Sequence, residues 1–147
     1  MTTTSKVLIV AGTCVLLGAF ALVGAGVYWW THHSRELIQA GKNALREGSV
    51  FGSKTDNQGC LDEALARYRQ NQGFAGGIST GLFLTGCLDA SRPTPGFCDE
   101  VPKPTEFIRA AQWQIRKCEE AGLPDQYCRQ LYAQVQQFCE RARVRGK

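Results

Sequence analysis

The chain has 147 residues with a formal net charge of +4, and 44% of them are hydrophobic and 20% charged. This balance excludes a disordered chain, and the 16 glycines follow no three-residue period, which excludes collagen. About 110 residues follow an apolar N-terminal run, enough for one small soluble domain and too few for two.

An uncharged apolar run extends from Val7 to Trp30, after a short polar flank over residues 1–6. At about 1.5 Å of rise per residue, a helix of this length crosses a hydrocarbon core about 30 Å thick. The run ends in three aromatic residues that suit the boundary between lipid tails and headgroups: Tyr28, Trp29 and Trp30. We therefore predict a transmembrane helix that acts as a signal-anchor in membrane lipid. A cleaved signal peptide is the alternative, since small residues at positions 23–25 offer a cleavage site.

One stripe of this predicted helix carries only small residues, at spacings of three and four. They are Ala11, Cys14, Gly18, Ala21 and Ala25. Small side chains let a second membrane helix approach closely, so the stripe predicts pairing with a membrane-protein partner or with a second copy of the chain. A chance arrangement is the alternative, because small residues are frequent throughout the run.

Residues 31–59 are predicted to join the anchor to the folded domain. A short juxtamembrane helix is expected from Ser34, as its N-cap, to Glu47. The residues from Gly48 to Gly59 are rich in Gly, Ser, Asp and Asn, which is typical of a linker. The domain is therefore expected to begin near Cys60 and to span residues 60–140.

The predicted domain is all-α, a small bundle of about four helices in two helical hairpins. Apolar spacing predicts the first two helices over 60–70 and 75–90, the second being nearly all apolar and therefore central. Four prolines make residues 92–104 an extended connection. The third helix is expected from Thr105, as its cap, to Ala121.

Each helix of the second hairpin has one predicted apolar face. The residues of this face on the third helix are Phe107, Ile108, Ala111, Ile115 and Cys118. Pro124 is expected to open the fourth helix, whose apolar stripe is Cys128, Leu131, Tyr132, Val135, Phe138 and Cys139. Gly122 is expected to stop the third helix, and the two helices then pack through these faces.

Six of the seven cysteines lie beyond the apolar run: Cys60, Cys87, Cys98, Cys118, Cys128 and Cys139. An even number in a small domain predicts three structural disulfides made in an oxidising compartment. The domain is therefore placed on the periplasmic or extracytoplasmic side of the membrane. The positive charges around the anchor mildly favour the opposite orientation, but their excess is small.

The helical layout also favours particular disulfide pairs, although six cysteines allow 15 pairings. Cys118 and Cys128 are equally far from the turn of the second hairpin and can bridge across it. Cys60 and Cys87 are symmetric about the turn of the first hairpin. Cys98 is then left for Cys139, which requires the proline-rich segment to fold back beside the third helix.

The sequence offers no credible metal, cofactor or catalytic site. Neither the ligand spacing of a zinc site nor a C-x-x-C motif is present. Residues 77–81 match G-x-S-x-G, but no strand precedes Ser79 and no histidine follows it. The only histidines, His32 and His33, adjoin the predicted membrane helix. Close helix packing is therefore the preferred interpretation of the glycines around Ser79.

The C-terminal residues 141–147 form a predicted basic tail that carries Arg141, Arg143, Arg145 and Lys147. The tail can contact anionic lipid or an acidic partner, and a solvated helix end is the alternative. No basic face interleaved with aromatic residues is present, so nucleic acid is not an expected partner. No small-molecule substrate is identified.

These observations predict a single-pass membrane-anchored, non-catalytic helical module that acts by binding, as an accessory part of a membrane or envelope assembly. The alternative is a secreted or periplasmic cysteine-rich protein that handles redox chemistry or metal. An enzyme is not expected, because the sequence contains no set of acid, base and nucleophile.

Overall fold

A computed structural model of the protein describes residues 3–145, except for the side chains of residues 3–14 and 32–34. Within this range the chain forms five α-helices: α1 (Thr3–Gly52), α2 (Asn57–Gln70), α3 (Phe74–Ala90), α4 (Phe107–Glu120) and α5 (Gln126–Arg145). The described residues form no β-strand, and one isolated bridge joins Asp56 to Arg92. The all-α prediction is confirmed.

The chain divides into two compact units, Met1–Gln39 and Ala40–Lys147. The described residues of the first unit belong to helix α1, and the large apolar side chains from Val15 to Trp30 are exposed. By length and composition, the segment Val15–Gly52 of α1 qualifies as a membrane-crossing helix. This segment overlaps the predicted anchor, and the first charged residue within it is Arg35.

The second unit is a helical bundle organised around α3 and α5. Helix α3 packs against both α2 and α5, which agrees with its predicted central position, and α4 packs against α5. The predicted apolar face of α2 forms part of the core, with Leu61, Ala64 and Tyr68 buried and Leu65 half-buried. The predicted stripe of α5 is also in the core, and only Phe138 in that stripe is partly exposed.

The expected linker after residue 47 is wrong, because α1 continues as a helix to Gly52. A Cβ atom at Gly48 would overlap the carbonyl oxygen of Phe83, and one at Gly52 would overlap that of Cys87. On the facing helix, a Cβ atom at Gly86 would overlap the carbonyl oxygen of Leu45. These glycines therefore bring the backbones of α1 and α3 into contact. The compact unit accordingly begins at Ala40 and not at Cys60, and no helix starts at Ser34.

Helix α4 begins at Phe107, so the expected cap at Thr105 is wrong. The N-cap residue is Glu106, whose carboxylate accepts a 2.9 Å hydrogen bond from the backbone N–H of Lys103. The predicted stop at Gly122 is confirmed, since this residue has a φ of 70°. The N–H of Leu123 then bonds the carbonyl oxygen of Cys118 at 2.9 Å, the pattern of a Schellman cap.

Helix α5 begins at Gln126, two residues later than the expected start at Pro124. The carboxylate of Asp125 accepts hydrogen bonds from the backbone N–H groups of Tyr127 at 2.8 Å and Cys128 at 3.0 Å. This is N-capping by an aspartate side chain, which satisfies donors that the first helical turn leaves unpaired. The helix extends to Arg145, so residues 141–145 belong to it and do not form a separate tail.

Candidate functional site

Three disulfides join the six cysteines of the domain: Cys60 to Cys87, Cys98 to Cys139, and Cys118 to Cys128. These are the pairs that the hairpin layout favours. Their Cα atoms lie 5.7, 5.5 and 5.9 Å apart, within the usual range for a disulfide. The described residues contain no group of His, Cys, Asp or Glu suited to a metal ion. Five of the six bonded cysteines are buried in the core, which supports a structural role for the disulfides.

The rotation of α4 differs from the predicted one. Its buried residues are Ala110, Trp113 and Cys118, whereas the expected core residues Phe107 and Ile108 are 79% and 76% exposed. Apolar spacing alone grouped these residues on one side of the helix, but it assigned that side to the core. Cys118 is the one member of the predicted face that is buried, and the packing of α4 against α5 turns the side with Ala110 and Trp113 inward.

Four exposed apolar residues therefore form a continuous surface, which we call the α4 stripe: Phe107, Ile108, Ala111 and Ile115. The ion pairs of α4, Arg109 with Glu106 and Arg116 with Glu120, lie at other positions around the helix and leave the stripe apolar. Exposed apolar residues gathered on one face are typical of a protein-binding surface.

The opposite side of α4 lines a cavity of about 450 Å³, which we call the strap cavity. One of its walls is the proline-rich segment 92–104, called the strap, and the others come from α2, α4 and α5. Leu61, Val101 and Val135 contribute apolar surface, and Lys117 and Glu120 lie among its polar lining residues. The volume falls in the range of small-molecule binding sites in proteins, about 300 to 1,000 Å³.

The strap is fastened to the bundle at both ends. At its start, the backbone N–H of Thr94 donates a 3.1 Å hydrogen bond to the buried side chain of Asn57. Further along, Cys98 is bonded to Cys139, and the Gln136 side chain donates a 3.0 Å hydrogen bond to the carbonyl oxygen of Pro102. This bond explains why the polar side chain of Gln136 is buried. The cavity therefore has a wall that is held in place without a ligand.

Two aromatic side chains with polar hydrogens line the strap cavity. The rings of Trp113 and Tyr132 meet edge to face, with centroids 5.4 Å apart. Trp113 is 5% exposed and Tyr132 is 6% exposed. The fully enclosed indole Nε1 of Trp113 has no hydrogen-bond partner. The Tyr132 hydroxyl forms no hydrogen bond with a described residue and is not among the fully enclosed unpaired atoms. Burial raises the pKa of Tyr132, and the negative charges of Glu120 and Asp62 raise it further. The hydroxyl therefore stays protonated as a donor.

The anchor residues named by the sequence lie along α1. In the small-residue stripe, Ala21 and Ala25 are exposed, and no atom lies within 4 Å of a Cβ built on Gly18. The side chains of Ala11 and Cys14 lie outside the described part of the chain. The interface residues Tyr28, Trp29 and Trp30 are 66%, 59% and 65% exposed. The described members of the stripe, Gly18, Ala21 and Ala25, are thus uncovered.

The basic residues at the C-terminus have structural partners. Arg141 forms a 3.0 Å ion pair with Asp89. Arg143 donates hydrogen bonds to the carbonyl oxygens of Cys98 and Val101 in the strap. Arg145 ends α5, and Lys147 lies outside the described residues. Two of the four predicted tail residues therefore stabilise the bundle, which weakens the interpretation of a free basic tail.

The G-x-S-x-G match lies inside α3 and not between a strand and a helix. The hydroxyl of Ser79 donates a 3.2 Å hydrogen bond to the carbonyl oxygen of Gly76 in the same helix. A Cβ at Gly77 would press on Tyr127, and one at Gly81 would press on the Gln134 side chain. These glycines allow close packing between α3 and α5, as the preferred interpretation held.

Sequence reasoning did not identify Trp113 as part of a site. On a helix, Ile115 and Ala111 lie three and seven positions before Cys118 and share its side, whereas Trp113, five positions earlier, lies on roughly the opposite side. A disulfide-bonded Cys118 therefore also favours the apolar stripe as the buried face, and no signal in the sequence identifies Trp113 as buried.

Comparisons of the chain with protein-family models, curated proteins and solved structures gave no match. The function is accordingly inferred from the chain's own residues.

Proposed function

We propose that the protein is a single-pass membrane-anchored, non-catalytic binding module that serves as an accessory part of a membrane or envelope assembly. The α4 stripe carries this proposal. Phe107 and Ile108 are both more than three-quarters exposed although they lie on a helix that packs into a disulfide-bonded bundle. The three disulfides and the candidate membrane helix support a domain tethered on the oxidising side of a membrane.

The α4 stripe is suited to binding because its geometry is set in advance. Helix α4 is covalently joined to α5 through Cys118 and held by the Gly122 cap, so the stripe keeps its shape in the free protein. A surface that is already ordered loses less conformational entropy when a partner docks. The expected occupant is an apolar helix or strand surface of another protein in the same membrane assembly.

The proposed interaction is tested by site-specific photo-cross-linking in native membranes. A photoreactive phenylalanine analogue is placed at Ile108, and in a matched variant at Gln137, which is exposed on α5. We expect one discrete adduct from position 108 only, which Phe107→Glu abolishes and mass spectrometry assigns to a membrane protein. Absence of an adduct, or the same adduct from position 137, contradicts the proposal.

The small-residue stripe of α1 supports a second contact of the same module, with a membrane helix of a partner or of a second copy. The substitution Gly18→Leu places a bulky side chain in this stripe, whereas Gly24→Leu places it on another side of the helix. We expect Gly18→Leu to weaken association of the full chain in detergent by about tenfold and Gly24→Leu to leave it unchanged. Equal association in both variants counts against the stripe.

A further inference from the structure

We propose that the strap cavity binds a small uncharged ligand with an apolar body and a carbonyl oxygen that accepts a hydrogen bond from Tyr132. The site lies on the side of α4 that faces α2, away from the α4 stripe, and it goes beyond the proposed protein-binding function. The proposal rests on three observations: the cavity's volume, its unpaired donor and its charge.

The donors indicate what the ligand must supply. Trp113 and Tyr132 are both more than nine-tenths buried, and both line the cavity. The indole N–H has no partner but is fully enclosed, so a ligand in the cavity does not reach it. The Tyr132 hydroxyl is not fully enclosed and forms no hydrogen bond with a described residue, so it is the donor that an acceptor on a ligand can reach.

The charge of the lining indicates that the ligand is uncharged. Lys117 is paired with Glu120, with 3.0 Å between Nζ and Oε2, so its charge is already neutralised. Glu100 also lines the cavity and forms no ion pair with a described residue, which leaves a net negative rim. A carboxylate would meet this negative charge, and burial of an ammonium group among Leu61, Val101 and Val135 would be unfavourable.

The fastened strap explains why the cavity persists. Thr94 is held by Asn57, and Cys98 is held covalently by Cys139, so the segment between them stays in place over the cavity. Leu61 and Val135 belong to the packed core below. The ligand therefore enters a preformed space, and binding requires little reordering of the protein.

The test uses the full chain in lipid nanodiscs and three probes that share a 4-fluorophenyl ring. They are 4-fluoro-N-methylbenzamide, 4-fluorobenzoate and 4-fluorobenzylamine, and their binding is followed by ¹⁹F NMR. We expect saturable binding of the neutral amide with a Kd of about 1 mM or lower, and at least about tenfold weaker binding of both charged probes. No saturable binding of the amide, or equal binding of a charged probe, overturns the proposal.

Two variants locate the site, with one matched control. Tyr132→Phe removes the donor and keeps the ring, and we expect about three- to tenfold weaker binding of the amide. Tyr127→Phe makes the same chemical change on α5 outside the cavity and should leave binding unchanged. Ala121→Trp places a large side chain among the lining residues and should abolish binding. Unchanged binding in Tyr132→Phe overturns the assigned donor and hence the ligand class.

A measurement on the unmodified chain avoids dependence on the folding of these variants. With ¹⁵N-labelled tryptophan, the indole resonance of Trp113 should shift on saturation with the amide while those of Trp29 and Trp30 stay in place. An unmoved Trp113 resonance at saturation overturns the location. N-acetylleucinamide then distinguishes two sources of the same chemistry. Tighter binding than the benzamide assigns the site to a residue of a polypeptide, and weaker binding assigns it to a small molecule; either result supports the proposal.

Discussion

Arg143, near the end of α5, donates a 2.6 Å hydrogen bond to the carbonyl oxygen of Val101 in the strap. The same guanidinium bonds the carbonyl oxygen of Cys98 at 3.0 Å. These bonds satisfy backbone acceptors in a segment that has no helix or strand of its own. One side chain from the last turns of the chain thus supports the wall of the strap cavity.

We predict that Arg143→Ala lowers the free energy of unfolding by about 1–3 kcal/mol, because hydrogen bonds from a charged donor to partly buried carbonyls are lost. Arg141→Ala is the control, since its ion pair with Asp89 is exposed and is worth at most about 1 kcal/mol. Urea denaturation of both variants measures the difference. Equal losses would show that Arg143 contributes only its charge.

The glycine contact between α1 and α3 gives a second prediction. In Gly48→Ala the new methyl group overlaps the backbone carbonyl of Phe83, which cannot move as a side chain can. We expect a loss of about 1–3 kcal/mol, as for other overpacked positions. Gly26→Ala lies in the same helix with no atom within 4 Å of its Cβ, so the domain should keep its stability. Thermal unfolding followed by circular dichroism tests both, and a stable Gly48→Ala domain would contradict the close contact.

The three disulfides should differ in their contribution to stability. Their loops differ in length, with separations of 41 residues for Cys98 to Cys139 and 10 residues for Cys118 to Cys128. Loop-closure entropy then gives about 4 kcal/mol for the longer loop and about 3 kcal/mol for the shorter one. Paired Cys→Ser variants, compared by urea denaturation, should therefore lose more stability when the Cys98 bridge is removed. The reverse order would show that strain or packing outweighs loop length.

Thiol alkylation before and after reduction tests the disulfides themselves. We expect at most one cysteine, Cys14, to react in the unreduced protein, and seven to react after reduction and unfolding. Intact mass spectrometry counts the added groups. Six further reactive thiols in protein taken directly from cells would contradict the placement in an oxidising compartment.

The raised pKa of Tyr132 predicts a loss of stability in alkaline solution. Burial is its main cause, followed by the charges of Glu120 and Asp62. Because the folded protein holds this proton more tightly, the stabilisation is complete below the unfolded pKa of about 10 and is lost as pH rises through the folded pKa. Urea midpoints between pH 8 and 11 should fall less steeply in Tyr132→Phe than in Tyr127→Phe. Equal slopes would contradict the assignment to Tyr132.

The disulfide framework was predictable because it depends on simple geometry. Cys118 and Cys128 are equally far from a turn that Gly122 and a proline mark in the sequence, so antiparallel packing brings them level. The amphipathic pattern of α5 was equally informative, since its inner face meets α2, α3 and α4. When the apolar stripe of a helix is the side that meets all of its neighbours, the sequence pattern identifies the buried face directly.

The rotation of α4 and the role of Gly48 were not predictable in the same way. Helix α4 packs along one side only, so its apolar stripe and its buried side need not coincide. A glycine such as Gly48 fits either a turn or a close helix contact, and the local composition favours the turn. Whether Gly48 lies in a turn or in a helix contact depends on Phe83 and Gly86, which are distant from it in the sequence. The strap cavity depends in turn on the rotation of α4, which brings Trp113 inward.

The bond between Cys98 and Cys139 has a consequence for biosynthesis. With the domain placed as proposed, on the oxidising side of a membrane, Cys60 and Cys87 cross the membrane within one hairpin and can be oxidised early, whereas Cys98 is separated from its partner by 41 residues. Until Cys139 follows, Cys98 is exposed to the thiols of Cys118 and Cys128, and α5 must form before the correct bond is made. Maturation of the domain then depends on residues up to Cys139, and a premature stop before that position would leave the sulfur atom of Cys98 free for mispairing.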